Sequence, residues 1–423
     1  MNENILKARE ERFEHIKSIS KNYPTLISIK ANTPGDNKER YSSFFLVNVF
    51  QHVIEERFDI VYKTFKKGFD GPYYVFGIHT TKAIEDVKNI LIEIEISHPL
   101  GRLIDLDLYH QEKNICRNDY NLPVRTCMLC DQPAIYCMRN QTHTIDDLLL
   151  HIDKTILTYL NHQISTFIEQ AMLNELNLDP KFGLVTPTSQ GSHPDMNYDI
   201  MKKSISVLMP YFLDIFELGM IFDDDPNLFE KANNIGKDAE KAMYQLTKDV
   251  NTYKGLIYIL GFVLLSLGYI IKHHKPFDSI YERIQTLSYH VLDDFKLNIQ
   301  TAGINAFKSY KITGIRGEVF NGLPTIRKAL TFFKYVDTLN PKHFHNLLLF
   351  FMIHSEDTVL LNRAKSLANY QHFKSMASQV NPYVDKDIKD FTAYCIKHNV
   401  SFGGSADLFI VFQFIEFFSS FYK

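Results

Sequence analysis

Asp105 and Asp107 lie one residue apart in HPLGRLIDLD, residues 98–107, a stretch that otherwise has the composition of a buried strand. Residues i and i+2 of a strand face the same way, so the two carboxylates share one face. At ~4 Å they repel by roughly 4 kcal/mol at an effective dielectric constant of ~20. Water, a shared proton or a divalent cation offsets such repulsion. Mg²⁺ suits the pattern because it binds one or two carboxylates together with substrate phosphates. A solvated sheet face is the alternative.

The turn before this strand carries groups that bind phosphate. Gly101 and its neighbours can present backbone N–H groups to an anion, and Arg102 adds a guanidinium. His98 either binds phosphate or caps the turn, and we favour the cap. A glycine turn followed by Asp-x-Asp on a strand is how nucleotidyltransferases arrange a phosphate cradle and metal ligands. The pattern therefore indicates that class of chemistry.

The preceding stretch, NILIEIEI at residues 90–97, also alternates apolar and acidic residues and predicts a second strand. Glu93 and Glu95 fall on its polar face. If this strand pairs with the next, three or four carboxylates share one surface.

Four of the five cysteines crowd into residues 116–137, which is a local feature rather than a disulfide framework. The spacing C-x2-C-x6-C-x5-H, which zinc ligands can have, is formed by Cys127, Cys130, Cys137 and His143. Cys116 is an alternative fourth ligand. Packing or substrate contact is the other interpretation, and we favour it over structural zinc.

The Asp-x-Asp stretch and the following RNDYNLPVRTCMLCDQPAIYCMRNQTH, residues 117–143, closely resemble the apo-citrate lyase phosphoribosyl-dephospho-CoA transferase family. AREER, residues 8–12, also resembles that family, and the resemblance covers roughly residues 5–155. It implies transfer of a prosthetic group onto a serine of the citrate lyase acyl carrier protein, its gamma subunit, with release of pyrophosphate.

Under this resemblance we expect Asp105 and Asp107 to hold Mg²⁺, with Glu93 or Glu95 as a further ligand or base. The expected triphosphate contacts are Arg102, Arg9 and Arg12.

The rest of the chain, about residues 160–423, resembles a second family, triphosphoribosyl-dephospho-CoA synthase. Its motifs stand in order as PKFGLV (180–185), GSHPDM (191–196), DVNTYKG (249–255), TGIRGE (313–318), EDT (356–358) and GGSADL (403–408). The resemblance implies that this domain joins the ribose of ATP to the 2′-hydroxyl of 3′-dephospho-CoA, releasing adenine and keeping the triphosphate. The two implied activities are consecutive.

The implied ribosyl transfer attacks an anomeric carbon, so by analogy with glycoside hydrolysis its transition state is oxocarbenium-like. It needs a base for the hydroxyl, an acid or hydrogen bond for adenine, and cations for three phosphates. The cationic candidates in the matched motifs are Lys181, Lys254, Arg316 and Arg363. The carboxylate candidates are Asp195, Glu318, Asp357 and Asp407. The candidates for polar contacts are His193 and Asn251.

Gly403, Gly404 and Ser405 read as a loop that enters the last helix, where free N–H groups favour phosphate. Structural roles are the alternative for the acids: Asp407 as a first-turn helix acid, and Glu318 as a partner of Arg316.

Five positions, in four motifs, depart from the pattern of the second family. A proline is expected at Phe182, a histidine at Tyr253 and a proline at Phe402. Two glycines are expected after Arg363, where Ala364 and Lys365 stand. Because Ala and Lys resist positive φ, this last departure puts the second activity most in doubt.

The elements that must position these residues change along the chain. Before about residue 160, the pattern predicts helices at 1–20, 41–56 and 144–160 and strands at 72–78, 90–97 and 103–109. After it, helical runs are predicted at 161–176, 198–219, 227–249, 255–273, 277–297, 324–337, 341–353, 367–378, 384–398 and 405–422. We therefore predict an α+β, nucleotidyltransferase-like domain at 1–158 and an all-α domain at 159–423, joined near 155–165 by a helix that both can share.

Composition limits the partners. A net charge of −3 provides no global basic field for nucleic acid or an anionic membrane. The start of the chain has no apolar signal-peptide core, and five cysteines fit a reducing compartment, so we expect a cytoplasmic protein. Residues 255–271 form an apolar stretch of 17 residues, at the bottom of the membrane-spanning range, and we favour a buried helix there.

Three other functions stay open at this point. The same chemistry could serve the acyl carrier protein of malonate decarboxylase. The chain could be a non-catalytic relative that binds a nucleotide or CoA. A membrane protein rests on residues 255–271 alone.

Overall fold

The chain forms two compact units in a computed structural model that describes residues 3–120, 124–222, 225, 227–296 and 302–422. Unit 1 comprises Met1–His162 with Tyr422–Lys423, and unit 2 comprises Gln163–Phe421. Unit 1 combines helices with one antiparallel sheet, and the regular elements described in unit 2 are all helices. The predicted α+β and all-α classes are confirmed.

The sheet of unit 1 has five strands in the order β2-β3-β1-β4-β5, and every neighbouring pair is antiparallel. The strands are β1 (Thr25–Ala31), β2 (Asp59–Lys66), β3 (Tyr73–His79), β4 (Ile104–His110) and β5 (Lys113–Ile115). In the β1–β4 register, Lys30 lies opposite Asp105 and Ser28 lies opposite Asp107. The two aspartates therefore sit beside the central strand.

The sheet of unit 1 buries apolar side chains on both faces, and helices complete the core. The helices are α1 (Glu3–Ser20), α2 (Tyr41–Arg57), α3 (Ile84–Ser97), α4 (Ala134–Asn140) and the start of α5 (Ile145–Asn177). Ile16 and Ile19 of α1 pack with Leu26, Val75 and Tyr109 of the sheet. This apolar cluster anchors α1 on the face that also carries Asp105 and Asp107, so the preceding turns of α1 lie near those carboxylates.

The predicted strand at 90–97 is wrong, because these residues form the second half of α3. Buried Val87, Leu91 and Ile94 recur at the helical spacing i, i+4, i+7. The same segment also alternates isoleucine with glutamate, which is the pattern that predicted a strand. Glu93 and Glu95 consequently do not lie on a strand beside β4. Strands β1, β2 and β5 were not predicted.

Unit 2 contains the end of α5 and twelve further α-helices. They are α6 (Tyr198–Ile221), α7 (Leu228–Thr247), α8 (Lys254–Lys272), α9 (Ser279–Leu287), α10 (Ala302–Tyr310), α11 (Gly314–Phe320), α12 (Pro324–Phe332), α13 (Phe344–His354), α14 (Thr358–Ala364), α15 (Leu367–Ala377), α16 (Asp385–Lys397) and α17 (Gly403–Tyr422). Every predicted helical run overlaps one of them, and the single long α5 takes the place of two predicted helices. The short α4, α10, α11 and α14 were not predicted.

Three described helices are long and apolar enough to cross a membrane by length and composition alone. They are α6, α8 and α17, and 44%, 72% and 67% of their apolar stretches is buried inside the structure. The prediction that residues 255–271 form a buried helix is confirmed by α8.

Candidate active sites of the two units

Asp105 and Asp107 alternate with buried Ile104, Leu106 and Leu108 along β4, as the sequence predicts. The Asp105 carboxylate contacts Nη1 of Arg125. Asp107 lies deeper, and burial raises the pKa of its carboxyl group, against the opposing fields of Lys88 and Arg12. One strand thus presents two carboxylates in different environments.

Cations converge on Asp107 from three elements: Lys88 of α3, Arg12 of α1 and Lys30 of β1. Lys88 is 5% exposed, and burial lowers the pKa of its ammonium group. Ser28, opposite Asp107, is fully buried, and its hydroxyl oxygen has no hydrogen-bond partner among the described residues. Three cations beside a carboxylate and an unsatisfied hydroxyl form a polar cluster suited to an anionic ligand.

Asp70, which was not predicted from the sequence, contacts two of these cations. Its Oδ2 lies 2.9 Å from Nε of Arg12 and 2.5 Å from Nζ of Lys30. The residue is 1% exposed, and its Oδ1 has no hydrogen-bond partner in the described part of the chain. Burial and the neighbouring Arg12 lower the pKa of Lys30 to about 8. Asp70 therefore orients the cations that face Asp107.

Glu95 is a structural acid rather than a neighbour of Asp105 on a paired strand. Its carboxylate accepts the backbone N–H of Leu106 at 3.0 Å and contacts the guanidiniums of Arg117 and Arg125. Glu93 is exposed on α3. The structure thus removes the basis on which Glu93 or Glu95 was expected to complete a metal site.

The turn between α3 and β4 is shaped by His98 and Gly101. The His98 Nδ1 accepts the N–H of Leu100 at 3.1 Å, so the predicted capping role is confirmed. A Cβ at Gly101 would lie 2.4 Å from the carbonyl oxygen of Glu95, so the turn packs directly on α3. The guanidinium of Arg102 donates to the Thr126 carbonyl. The structure therefore brings Arg102 to the cysteine-rich segment; its predicted phosphate contact stays a prediction.

The cysteine-rich segment gathers four potential ligands. Of the described residues, the sole group of three or more His, Cys, Asp or Glu placed to hold a metal ion consists of Cys127, Cys130, Cys137 and His143. Their ligand atoms all lie within 4.8 Å of one another. Cys116, the alternative fourth ligand, is not in the group, and neither are Asp105 and Asp107.

Unit 2 contains a cavity of about 360 Å³ that collects most of the residues predicted for the second domain. Its lining includes Lys181, His193, Asn251, Lys254, Glu318, Arg363, Gly403, Gly404 and Asp407. Their positions in the chain span more than 220 residues, so the fold assembles the separate motifs into one site. Arg316, Asp357, Ser405 and Asp195 are not among the described lining residues.

A buried ion pair lies in the wall of this cavity. Nζ of Lys181 lies 2.7 Å from Oε1 of Glu175 and also donates to the Glu175 carbonyl at 2.7 Å. The two residues are 1% and 3% exposed. Glu175 was not predicted from the sequence, because nothing in its local pattern marks it as the partner of Lys181. Lys181 therefore lines the cavity with its charge already paired to Glu175.

Asp407 stands apart from the other acids of the cavity. None of the described residues pairs with its carboxylate or donates a hydrogen bond to it. Burial, together with the charges of Asp357 and Glu175, raises its pKa well above the ordinary value. A Cβ at Gly255 would lie 2.1 Å from Oδ2, so the first turn of α8 touches this oxygen. The hydroxyl of nearby Tyr253 is also buried without a partner in the described chain.

Glu318 takes part in a helix cap as well as in the cavity wall. Its carboxylate accepts the N–H and the hydroxyl of Thr325, both at 2.8 Å, and the N–H of Ile326 at 3.3 Å, at the start of α12. Burial raises its pKa, and these hydrogen bonds oppose the shift. No pair between Glu318 and Arg316 occurs among the described contacts.

Arg363 fixes the GSHPDM loop at the cavity. Its Nη1 donates to the Ser192 carbonyl at 2.8 Å, and its Nη2 lies 2.8 Å from Nδ1 of His193. Burial and the guanidinium lower the pKa of His193 to about 4. His193 is therefore neutral, and its Nδ1 accepts the hydrogen bond from Arg363.

Asp357 and Ser405 join two helix starts. Asp357 is fully buried; Oδ1 accepts the N–H groups of Val359 and Leu360 at 3.0 Å, and Oδ2 accepts the N–H and hydroxyl of Ser405 at 2.9 Å. The Ser405 N–H therefore points at Asp357 rather than into the cavity, and its predicted phosphate contact stays a prediction. Asp357 has four donors and positions α14 against α17.

Two predicted cations differ in placement. Lys254 reaches the cavity and pairs with Glu240 at 2.7 Å. The Arg316 guanidinium lies over the rings of Tyr258 and Phe295, at 5.6 and 5.8 Å. Arg316 is therefore a stacked cation beside the site in this structure.

Comparison with known families follows the division into units. The family model described as apo-citrate lyase phosphoribosyl-dephospho-CoA transferase matches residues 2–159, and the model described as ATP:dephospho-CoA triphosphoribosyl transferase matches residues 161–421. The chain belongs to both families, in tandem. The resemblances inferred from the motifs are confirmed.

Relatives of the full fusion and of its second half support this membership. A protein named CitXG from Leuconostoc mesenteroides subsp. cremoris is 30% identical over 97% of the chain and 96% of its own length. A CitXG protein from Haemophilus influenzae is 31% identical over 76% of the chain and 75% of its own length. A 2-(5''-triphosphoribosyl)-3'-dephosphocoenzyme-A synthase from Haemophilus ducreyi is 29% identical over 66% of the chain. The chain is thus a bifunctional transferase of citrate lyase prosthetic-group biosynthesis.

Proposed function

We propose that unit 2 joins C1′ of the ATP ribose to the 2′-hydroxyl oxygen of 3′-dephospho-CoA and releases adenine. Unit 1 then transfers the product to a serine of the citrate lyase acyl carrier protein and releases pyrophosphate. The observation that carries this proposal is the pair of family matches, which cover residues 2–159 and 161–421 in that order. The cavity of unit 2 and the carboxylate strand of unit 1 supply groups suited to each step.

Asp407 is our candidate for the base in ribosyl transfer. The bond between C1′ and adenine breaks, a bond from C1′ to the 2′-oxygen forms, and the hydroxyl proton must leave. An unpaired, half-buried carboxylate with a raised pKa is a stronger base than an ordinary aspartate. Neutral His193 and the Tyr253 hydroxyl are candidates to hydrogen bond the leaving adenine.

The triphosphate of ATP needs cations in the same cavity. Lys254 and Arg363 reach the wall, and the N–H groups of Gly403 and Gly404 open the first turn of α17. We assign these four groups to phosphate binding. Lys181 is neutralised by Glu175, so we assign it to the wall that holds the ribose or adenine side of the substrate.

In unit 1 the serine oxygen of the carrier attacks the α-phosphorus, and the bond to the departing pyrophosphate breaks. We propose that Asp105 and Asp107 hold Mg²⁺, which when bound would neutralise the triphosphate; their place on one face of β4 fits this donor chemistry. Binding there competes with the Arg125 contact at Asp105. Arg12, Lys30 and Lys88 would contact the phosphates, and the whole reaction would be cytoplasmic, a proposal supported by five free cysteines.

The experiment is to incubate the full chain with ATP, 3′-dephospho-CoA, Mg²⁺ and the apo citrate lyase acyl carrier protein. Free adenine and the intact mass of the carrier are both followed. Adenine release with a carrier that gains the phosphoribosyl-dephospho-CoA mass supports both steps, and omission of Mg²⁺ with added chelator should abolish the mass gain. Adenine release without carrier modification contradicts the assigned acceptor, and the malonate decarboxylase carrier is then the alternative. Absence of both products contradicts the proposal.

A further inference from the structure

The cysteine-rich segment of unit 1 presents four ligand atoms at the spacing of a tetrahedral metal site. Sγ of Cys130 lies 3.5 Å from Sγ of Cys137 and 3.3 Å from Nε2 of His143. With Zn–S near 2.3 Å and Zn–N near 2.0–2.1 Å, tetrahedral zinc separates its ligand atoms by roughly 3.5–3.8 Å. All four candidate atoms, including Sγ of Cys127, lie within 4.8 Å of one another.

The backbone brings these atoms together from three separate pieces of local structure. Cys127 donates its N–H to the Gln132 carbonyl at 2.7 Å, and this bond closes the turn that carries Cys130. Cys137 lies on α4, one helical turn after the Thr126–Pro133 bridge. Beyond α4 the chain turns back, and the N–H of Thr142 donates to the Cys137 carbonyl at 3.1 Å next to His143.

This segment has almost no core of its own. Between residues 111 and 147, Cys137 is the sole described residue that is buried. Val124, Ile135, Tyr136 and Met138 are more than half exposed. A segment of this length without apolar burial is held in one conformation by a staple, such as a metal or a disulfide. All five cysteines are free thiols here.

We propose that Cys127, Cys130, Cys137 and His143 bind one zinc ion that holds the segment in place. Three thiolates and an imidazole form a soft donor set that favours zinc, and four protein ligands leave no open position for catalysis. The site is therefore structural. Its role is to hold Arg117 and Arg125 against Glu95 and Asp105, and the Thr126 carbonyl against Arg102.

The test is the zinc content of the full chain purified under reducing conditions without chelator, measured by elemental mass spectrometry. We expect about one zinc per chain in the wild type and in Cys116→Ser, and little in Cys130→Ser. Replacement of zinc by Co²⁺ should give the visible absorption of tetrahedral cobalt with thiolate ligands in the wild type and not in Cys130→Ser. Limited proteolysis mapped by mass spectrometry checks that unit 1 outside residues 116–143 stays folded in Cys130→Ser, because adenine release reports on unit 2 alone.

Three results would overturn this proposal. The first is a wild-type chain that lacks zinc and takes up none when Zn²⁺ is added under reducing conditions. The second is equal zinc content in the wild type and Cys130→Ser, which would mean that the ion lies elsewhere. The third is an intact mass about 2 Da below that of the reduced chain, mapped to a Cys130–Cys137 disulfide, under conditions that keep Cys116 and Cys395 reduced.

Discussion

Asp407 combines burial, a neighbouring negative charge and the lack of a partner among the described residues. Burial and the charges of Asp357 and Glu175 all disfavour its ionised form, which explains the direction of its pKa shift. Glu318, by contrast, is buried but accepts three hydrogen bonds. Of the acids that line the cavity, Asp407 is therefore the one placed to accept a proton from substrate.

The pH dependence of adenine release tests this role. We expect kcat/KM to rise with pH as Asp407 loses its proton, with the acidic limb well above the ordinary aspartate pKa of about 3.9. Asp407→Asn should lower kcat/KM by about 10²–10⁴-fold and remove this limb. Exposed Asp385→Asn, in the first turn of α16, is the matched control and should leave the profile unchanged. A limb that persists in Asp407→Asn would contradict the assignment.

The same shift has a consequence for stability. Because the folded pKa of Asp407 lies above the unfolded value, its stabilising contribution is present below the unfolded pKa and is lost as pH rises through the folded pKa. Asp407→Asn removes this loss, so at pH 8 it should unfold at a higher urea concentration than the wild type. Asp385→Asn is again the control. An unchanged or lower midpoint for Asp407→Asn at pH 8 would contradict the direction of the shift.

Lys365 adopts a backbone conformation that favours glycine, with φ of 64° at the end of α14. The family pattern has glycine here, whereas Ala364 is within the helix and needs no positive φ. Lys365→Gly should increase the stability of unit 2 by about 1 kcal/mol. Urea unfolding followed by circular dichroism measures the gain. Lys365→Ala removes the same side chain without freeing φ, and an equal gain in that variant would contradict the explanation.

Local sequence predicted many of the site residues, and it missed their partners. The motifs led to Lys181, Arg363 and Asp407, all of which line one cavity. Glu175 and Asp70 were missed because their importance lies in contacts with Lys181 and with Arg12 and Lys30 that only the tertiary structure creates. The bond from the Ser405 N–H to Asp357 was missed for the same reason, because Asp357 precedes a helix that is distant in the sequence.

Elements whose sequence fits one periodicity, either helix or strand, were predicted correctly. The element whose sequence fits both periodicities was not. β4 alternates between buried apolar and half-exposed acidic residues, and α8 is apolar around its circumference. Residues 90–97 alternate like a strand while Val87, Leu91 and Ile94 also form a helical stripe, and tertiary packing selects the helix α3. The short helices α4, α10, α11 and α14 were missed because so short a stretch carries little periodicity.

The close approach of α8 to α17 sets the position of Asp407. Gly255→Ala places a Cβ 2.1 Å from Oδ2 of Asp407, so the carboxylate must move. A displacement of about 1 Å typically costs about 10²-fold in rate, and adenine release should fall by that order. Gly261→Ala in the same helix is the control, because its Cβ meets Ile215 at 3.6 Å. Near wild-type adenine release by a folded Gly255→Ala would contradict this packing argument.

At the scale of the whole molecule, two units carry two different sets of chemical groups. Unit 1 gathers cations and carboxylates on a sheet, and unit 2 gathers separate motifs around a helical cavity. The shared helix α5 runs without a break from Ile145 to Asn177, which explains why no linker composition marks the junction. Each unit should therefore retain its own reaction when the other is inactivated.

The most direct test compares Asp107→Asn and Asp407→Asn in the full chain, with adenine release and carrier mass measured in parallel. Asp107→Asn should release adenine and leave the carrier unmodified. Asp407→Asn should release no adenine from ATP and should still modify the carrier when preformed triphosphoribosyl-dephospho-CoA is supplied. Circular dichroism and limited proteolysis check that the substituted unit of each variant is folded, because the retained activity reports on the other unit. The account of two separate active sites is contradicted if either substitution abolishes both reactions in a folded chain. It is also contradicted if either substitution leaves both reactions intact.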